Sequence, residues 1–256
     1  MTTSQTVLRA CMIALLCAGA SAAEPAAKKL NVLFLAADDL RPDLGCYGHP
    51  VAKTPHLDQL AARGLRFDRA YCQQAVCNPS RTSMLTGLRP ETIGVVGNHV
   101  HFRTNRPDVV TLPQYFKQHG YRTQAIGKIF HGVFPEGASK TKWDTMGDPA
   151  SWSVPAIRFG PRYYFTEEGV VSAKKAFEKS YPGLEELGVD WTERLVFGLA
   201  TEAPDVPDEL FYDGKVAATA VATLQELKDS PDPFFLAVGF IKPHSPFIAP
   251  KKYFDP

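Results

Sequence analysis

The sequence has no surplus of charge of either sign. Lys and Arg total 28 and Asp and Glu total 27 in 256 residues, a formal net charge of +1. That balance offers no broad basic face for nucleic acid or an anionic membrane, so any attraction for an anionic ligand must be built locally. Long apolar runs are also missing. The best candidate, residues 10–20, is too short to anchor a bilayer, and no later stretch does better. No internal repeat is present, and no low-complexity tract beyond an Ala-rich start, so the chain is not a repeat array. Disorder is excluded by composition, since 45% of the residues are hydrophobic, enough for a packed core. The length suits one large α/β domain or two small ones.

What is there begins with an export-type leader. Arg9 gives a weakly positive start, the apolar run follows, and Ala20-Ser21-Ala22 has the small-x-small form of a cleavage site. Residues 1–22 therefore read as a signal peptide and 23–29 as a linker, which places the protein in the periplasm or outside the cell. Cleavage removes Cys11 and Cys17 and leaves Cys46, Cys72 and Cys77. Cys46 could pair with Cys72 and leave Cys77 for chemistry, or all three could be reduced.

Three apolar stretches read as strands, and each ends in polar residues. Residues 31–37 (NVLFLAA) run continuously apolar into Asp38-Asp39, the pattern of a buried parallel strand with polar groups at its C-terminal end. Residues 121–126 lead to Gly127-Lys128, and residues 234–240 lead to Lys242-Pro243-His244. Helices fall between them. Thr54 caps a predicted helix over 55–63 with Pro55 at its first position, Gly64 at its stop, and Leu57, Leu60 and Ala61 as its buried stripe. Asn78 and Pro79 open a second that ends at Gly87. A third covers about 112–119, and Asp208 caps a long one through about 228. Residues 132–207 are rich in Pro, Gly and aromatics and read as a meandering loop over the site. In open α/β sheets ligands sit beyond the carboxyl ends of the strands, so the three polar ends are expected to converge.

Two adjacent carboxylates at a strand end repel unless a cation intervenes, and a hard divalent ion with oxygen ligands is the natural partner for Asp38-Asp39. Cys77 stands where the predicted helix begins, so the positive helix terminus faces whatever binds there, and Arg81 is one turn in. Taken singly, these features also fit an ordinary polar strand end and a packed cysteine. His49 and His56 read as structural or exposed, and His99 and His101 as surface-loop residues. Lys242 either binds substrate or serves the structure.

The run Cys77-Asn78-Pro79-Ser80-Arg81, continuing Thr82-Ser83-Met84-Leu85-Thr86-Gly87, resembles the signature of the sulfatase family. Residues 31–48, 73–86, 127–131 (GKIFH) and 234–247 (FFLAVGFIKPHSPF) match that family in order. The resemblance implies an α/β, alkaline-phosphatase-like sulfatase fold, with a largely parallel central sheet flanked by helices. It implies that a formylglycine-generating enzyme converts Cys77 to formylglycine, whose hydrated aldehyde attacks sulfur. It further implies a calcium ion held by Asp38, Asp39 and the modified Cys77. By the same resemblance Arg81 would hold the formylglycine, and Lys128 and His131 would orient its diol. One of those two, His131 before Lys128, would help release sulfate, and His244 would contact the sulfate or the leaving oxygen. The implied substrate is a sulfated saccharide.

The family also supplies calcium ligands and an active-site Lys from a later region than this sequence contains. Residues 30–256 are accordingly expected to be the N-terminal catalytic portion, ending before the C-terminal subdomain. Two other activities are compatible with the residues: a formylglycine-dependent phosphonate or phosphate monoester hydrolase, and an inactive carbohydrate-binding fragment.

Overall fold

A computed structural model describes residues 29–132, 147–160, 163–183 and 198–254. The chain divides into Met1–Leu30 and Asn31–Pro256, and the fold below is that of the second unit. The signal peptide and nearly all of the linker fall outside the described residues, as does part of the expected loop.

The strands and helices succeed one another in α/β fashion. In chain order they are β1 (Val32–Asp38), α1 (Pro55–Arg63), α2 (Cys77–Thr86), α3 (Leu112–Gln118), β2 (Arg122–Gly127) and α4 (Glu167–Ser180). They continue as β3 (Thr201–Glu202), α5 (Tyr212–Leu227), β4 (Phe234–Pro243) and β5 (Phe247–Ile248). The main sheet has the order β1-β4-β2, and both pairings are parallel. β3 and β5 form a separate two-residue parallel pair.

Strand alternation sends successive side chains of β4 to opposite faces. Phe235 and Ala237 join Leu85, Ile93, Val95, Phe102, Ala125 and Phe130 on the face that carries α2 and α3. Phe234, Leu236 and Val238 join Ile126 of β2 and Val216, Ala220 and Leu227 of α5 on the other. α3 is closed by a capping box: the Thr111 hydroxyl accepts the Gln114 amide at 3.2 Å, and the Gln114 side chain accepts the Thr111 amide at 3.4 Å.

Among the described residues β1 is an edge strand paired with β4 alone, and it is less buried than its apolar run suggests. Val32, Phe34 and Ala36 pack inward, while Leu33 and Leu35 are about half exposed. α1 has the expected bounds but no buried stripe, since Leu57 and Leu60 are exposed. Polar contacts hold it instead. The Asp58 carboxylate accepts the Cys46 amide at 2.7 Å and the Thr54 hydroxyl at 2.9 Å, and Thr54 Oγ1 accepts the Gly45 amide rather than capping the helix.

Three further differences follow from side chains being used elsewhere. α2 starts at Cys77, because the Asn78 side chain does not cap it. Asn78 Nδ2 donates to Gly97 O and Val100 O, and Asn98 Oδ1 from that loop accepts the Asn78 amide. The expected loop contains α4, whose Gly169, Ala173 and Phe177 are buried at helical spacing behind a Thr166 cap. The long helix begins at Tyr212, after a single 3-10 turn at Asp208–Leu210.

The core face of β4 should dominate stability. Phe235→Ala, at a fully buried site, is expected to cost about 3–5 kcal/mol. Leu33→Thr, on the open face of β1, should change stability by less than about 0.5 kcal/mol. Urea unfolding of the two variants checks this, and equal losses would place β1 inside the core.

Candidate active site

The carboxyl ends of β1, β4 and β2 bring the expected residues together. The pairing of β1 with β4 slips between Ala37 and Asp38, so Asp38 lies opposite Pro243. Asp39 takes a left-handed backbone conformation (φ 58°), unusual for a side-chain-bearing residue, and turns the chain away from the strand. At the end of β2, Gly127 has φ +79° and Gly239 of β4 faces the Lys128 carbonyl closely enough that a Cβ there would collide with it. This approach lets the Lys128 amide donate to Gly239 O at 2.9 Å and fixes the start of the Lys128–His131 turn.

Asp38, 4% exposed, is the hub. Arg81 Nη2 donates to its Oδ1 at 2.9 Å, and Lys128 Nζ donates to its Oδ2. Arg81 Nη1 reaches the carbonyls of Lys128 and Ile129 at 2.7 and 2.8 Å, so one guanidinium joins α2, β1 and the turn after β2. Cys77, at the first position of α2, places Sγ 4.0 Å from Asp38 Oδ2 and 3.9 Å from Lys128 Nζ. His244 Nε2 lies 3.8 Å from Asp39 Oδ2, and its Nδ1 is 2.6 Å from Ser245 O. A cleft of about 560 Å³ opens over this cluster, lined by Asp38, Asp39, Arg41, Gln74, Cys77 and Arg81 among others.

Burial on its own would push the Asp38 carboxyl up, but Arg81 and Lys128 outweigh it and hold the group below the usual range. The Cys77 thiol is pushed up, chiefly by burial, with Lys128 opposing and Asp38 and Asp39 adding to the rise. A cysteine so placed is a thiol, not an activated thiolate. Burial, and then the charge of Lys128, bring His131 down to about 4, and its buried Nδ1 has no hydrogen-bond partner among the described residues.

The other residues singled out by sequence divide differently. Lys242 Nζ donates to His244 O at 3.1 Å and to Pro246 O at 2.5 Å, so it serves the turn that carries His244. His101 is buried, not in a surface loop: Nδ1 accepts the Arg103 amide and Nε2 meets Gly147 O. His99 and His56 are exposed, and His49 Nδ1 accepts the Ala52 amide at 2.9 Å. Cys46, Cys72 and Cys77 are all free, so the Cys46–Cys72 pairing is not formed.

Two supporting residues escaped the sequence reading. Asp213 accepts the amides of Ile241 and Lys242 at 2.8 Å each and so bends the end of β4 toward the site. Arg158 donates to the Phe130 carbonyl at 3.1 Å, next to the two carbonyls held by Arg81. Asp213 lay inside the helix expected from Asp208. Arg158 lay in a stretch without periodicity, and nothing local marks it.

The parallel sheet, with its polar cluster at the carboxyl edge, has an alkaline-phosphatase-like α/β fold. Solved structures with this fold include Ps i-CgsB in complex with k-i-k-neocarrahexaose (TM-score 0.59, 22% identity, 86% of this chain and 46% of that one). They also include the phosphonate monoester hydrolase of Agrobacterium radiobacter (TM-score 0.58, 23% identity, 87% and 43%). The family model described as Sulfatase matches residues 30–256, and the chain belongs to the sulfatase family. It is 38% identical over 224 residues to iduronate 2-sulfatase of Homo sapiens, covering 88% of this chain and 37% of that protein. It is 34% identical over 238 residues to a sulfatase of Formosa agariphila, covering 89% and 41%. The chain thus spans about two fifths of these relatives.

His131 sets a pH dependence. Its folded pKa lies below the ordinary histidine value of about 6.5, so the unfolded chain binds the proton more readily. Neutral His131 costs nothing above that value, and stability falls as the pH drops from about 6.5 toward 4. Urea midpoints measured across this window should decline in the wild type and decline less in His131→Asn. Equal slopes would remove His131 as the source.

Proposed function

We propose that this protein is a sulfuric ester hydrolase that removes sulfate from a sulfated sugar, in the manner of an iduronate 2-sulfatase, through a formylglycine made from Cys77. The observation that carries the reading is the grouping of Cys77, Asp38, Arg81 and Lys128 around one buried carboxylate at the sheet's carboxyl edge. Similarity to sugar sulfatases supports the substrate class. One solved relative, BT4656, is described in complex with D-glucosamine-2-N,6-O-disulfate.

Formylglycine supplies a hydrated aldehyde as the nucleophile, and calcium supplies charge that offsets the sulfuryl oxygens. Asp38 and Asp39 fit such an ion as hard oxygen donors on one strand end, two of the six to eight oxygens that calcium takes. Everything else falls to the chain's own residues. Arg81 and Lys128 place two positive charges beside Asp38, and a cation held by Asp38 and Asp39 would leave surplus charge for a sulfate monoanion. Arg81 also fixes the turn that carries Lys128, through its two carbonyl contacts. His131, neutral near pH 7, can accept a proton at the nucleophile. His244, when protonated, can donate from Nε2 to the leaving sugar oxygen, a step typically worth about 10²–10⁴ in rate. The lowered thiolate character of Cys77 agrees with conversion rather than direct thiol attack.

In this reading residues 1–22 are an export signal and residues 30–256 are the N-terminal part of the catalytic domain. No helix among the described residues is long and apolar enough to cross a membrane.

Mass analysis of the Cys77 peptide, from protein made with a formylglycine-generating enzyme, should show a loss of about 18 Da relative to Cys. The converted whole protein should release sulfate from sulfated uronate or hexosamine saccharides faster than it cleaves phosphate or phosphonate monoesters. Cys77→Ala should abolish turnover while leaving the fold intact. Turnover retained in that variant would overturn the mechanism, and a preference for the phosphorus esters would move the protein to the phosphonate hydrolase activity.

A further inference from the structure

Before conversion, Cys77 sits in a donor set of a different kind from the one that calcium prefers. Ligand atoms of Asp38, Cys77 and His244 lie within 4.8 Å of one another. A thiol sulfur, an imidazole nitrogen and a carboxylate oxygen are the donors of tetrahedral zinc sites, whereas calcium takes oxygens alone. In such a tetrahedron neighbouring donors stand about 3.5 Å apart, so the three need to close by about 1 Å, within reach of side-chain rotation.

The histidine is oriented for the task. Its Nδ1 lies 2.6 Å from the Ser245 carbonyl, a contact in which Nδ1 must donate. The lone pair of the neutral ring is then on Nε2, the atom that faces the acidic pair at 3.8 Å from Asp39 Oδ2. A metal-binding histidine typically gives its second N–H to a backbone carbonyl in this way. The cluster also already gathers positive charge. The Lys128 ammonium donates to Asp38 and lies 3.9 Å from Cys77 Sγ, so a divalent ion entering here exchanges with a cation rather than filling an apolar gap. Asp39 stands at the rim as a fourth donor, its side chain 54% exposed.

We propose that the unconverted chain binds a zinc-class transition-metal ion through Cys77 Sγ, His244 Nε2 and Asp38. The thiol proton passes to solvent as the metal–sulfur bond forms. Conversion of Cys77 replaces the one soft donor with oxygen and turns the same pocket toward a hard cation. The proposal concerns the thiol form and does not depend on the substrate of the converted enzyme.

Cobalt(II) is the probe, because a thiolate ligand gives it a near-ultraviolet charge-transfer absorption. The chain is made without a converting enzyme, and mass analysis confirms the free thiol at Cys77. Titration with Co²⁺ should produce one equivalent of tetrahedral, thiolate-ligated cobalt, and Zn²⁺ should displace it, as its tighter binding to such sites requires. Cys77→Ser should abolish the charge-transfer absorption, and His244→Ala should weaken binding more than about tenfold. Cys72→Ser and Cys46→Ser should leave the spectrum unchanged.

A second readout needs no variant: Zn²⁺ should slow alkylation of Cys77 by iodoacetamide relative to Cys72. Absent charge transfer in a chain with a proven free thiol would overturn the site and leave the sulfatase reading untouched. So would a signal that survives in Cys77→Ser, or no protection of Cys77 from alkylation.

Discussion

Nearly everything at the carboxyl edge of the sheet is arranged around the buried ion pair between Asp38 and Arg81. Both are about 5% exposed, and each carries more than one partner. Asp38 accepts from Arg81 and Lys128, while Arg81 also holds two carbonyls of the turn after β2. Removing one member of such a group leaves an unpaired buried charge and typically costs about 3–5 kcal/mol, although the intact pair adds little net stability. Its value is positional. It fixes the end of β1, the first turn of α2 and the start of the Lys128–His131 turn relative to one another, which none of those elements can do through apolar packing alone.

That arrangement explains how a nearly neutral chain can present an anion site. Two cationic side chains face one buried carboxylate, and the second carboxylate, Asp39, lies at the rim. With Asp39 counted the four charges balance, and a divalent cation bound there would give the site its positive excess. The same environment keeps Cys77 protonated, because burial outweighs the help of Lys128. A nucleophilic thiol needs the opposite, a depressed pKa beside a base. The site is therefore organised around charge placement, with the cysteine as a group to be chemically changed.

Much of this was legible in the sequence because it is local. The apolar strands with polar ends, Pro at helix starts, and Gly after α2 each follow from backbone preference, and the resemblance to the sulfatase signature singled out Cys77, Arg81, Lys128, His131 and His244. What was not legible depends on partners distant in the chain. Asn78 looks like a cap, but its amide is capped by Asn98, twenty residues on. Leu33 and Leu35 look buried, yet burial depends on what packs over each face of the sheet, and theirs is left open. His101 reads as a loop residue until Gly147 and Arg103 enclose it. α4 is the exception: its spacing of Gly169, Ala173 and Phe177 was present, hidden by the Pro- and Gly-rich sequence on either side.

Lys242 and Asp213 show why chemistry-bearing residue types need geometry before they are given roles. Lys242 stands two residues from His244 and belongs to the motif, but its ammonium is spent on the carbonyls of His244 and Pro246. Asp213 has no motif, yet its two oxygens take consecutive amides where β4 leaves the sheet. An interior strand would give those amides to a neighbour. Here a carboxylate from the start of α5 replaces the neighbour, and the strand is free to turn and present His244 opposite Asp39. The position of His244 is thus set by a carboxylate on one side and an ammonium on the other, neither of which needs to touch a substrate. A histidine held from both sides can keep one tautomer, and a fixed tautomer is what both proton donation from Nε2 and ligation through Nε2 require.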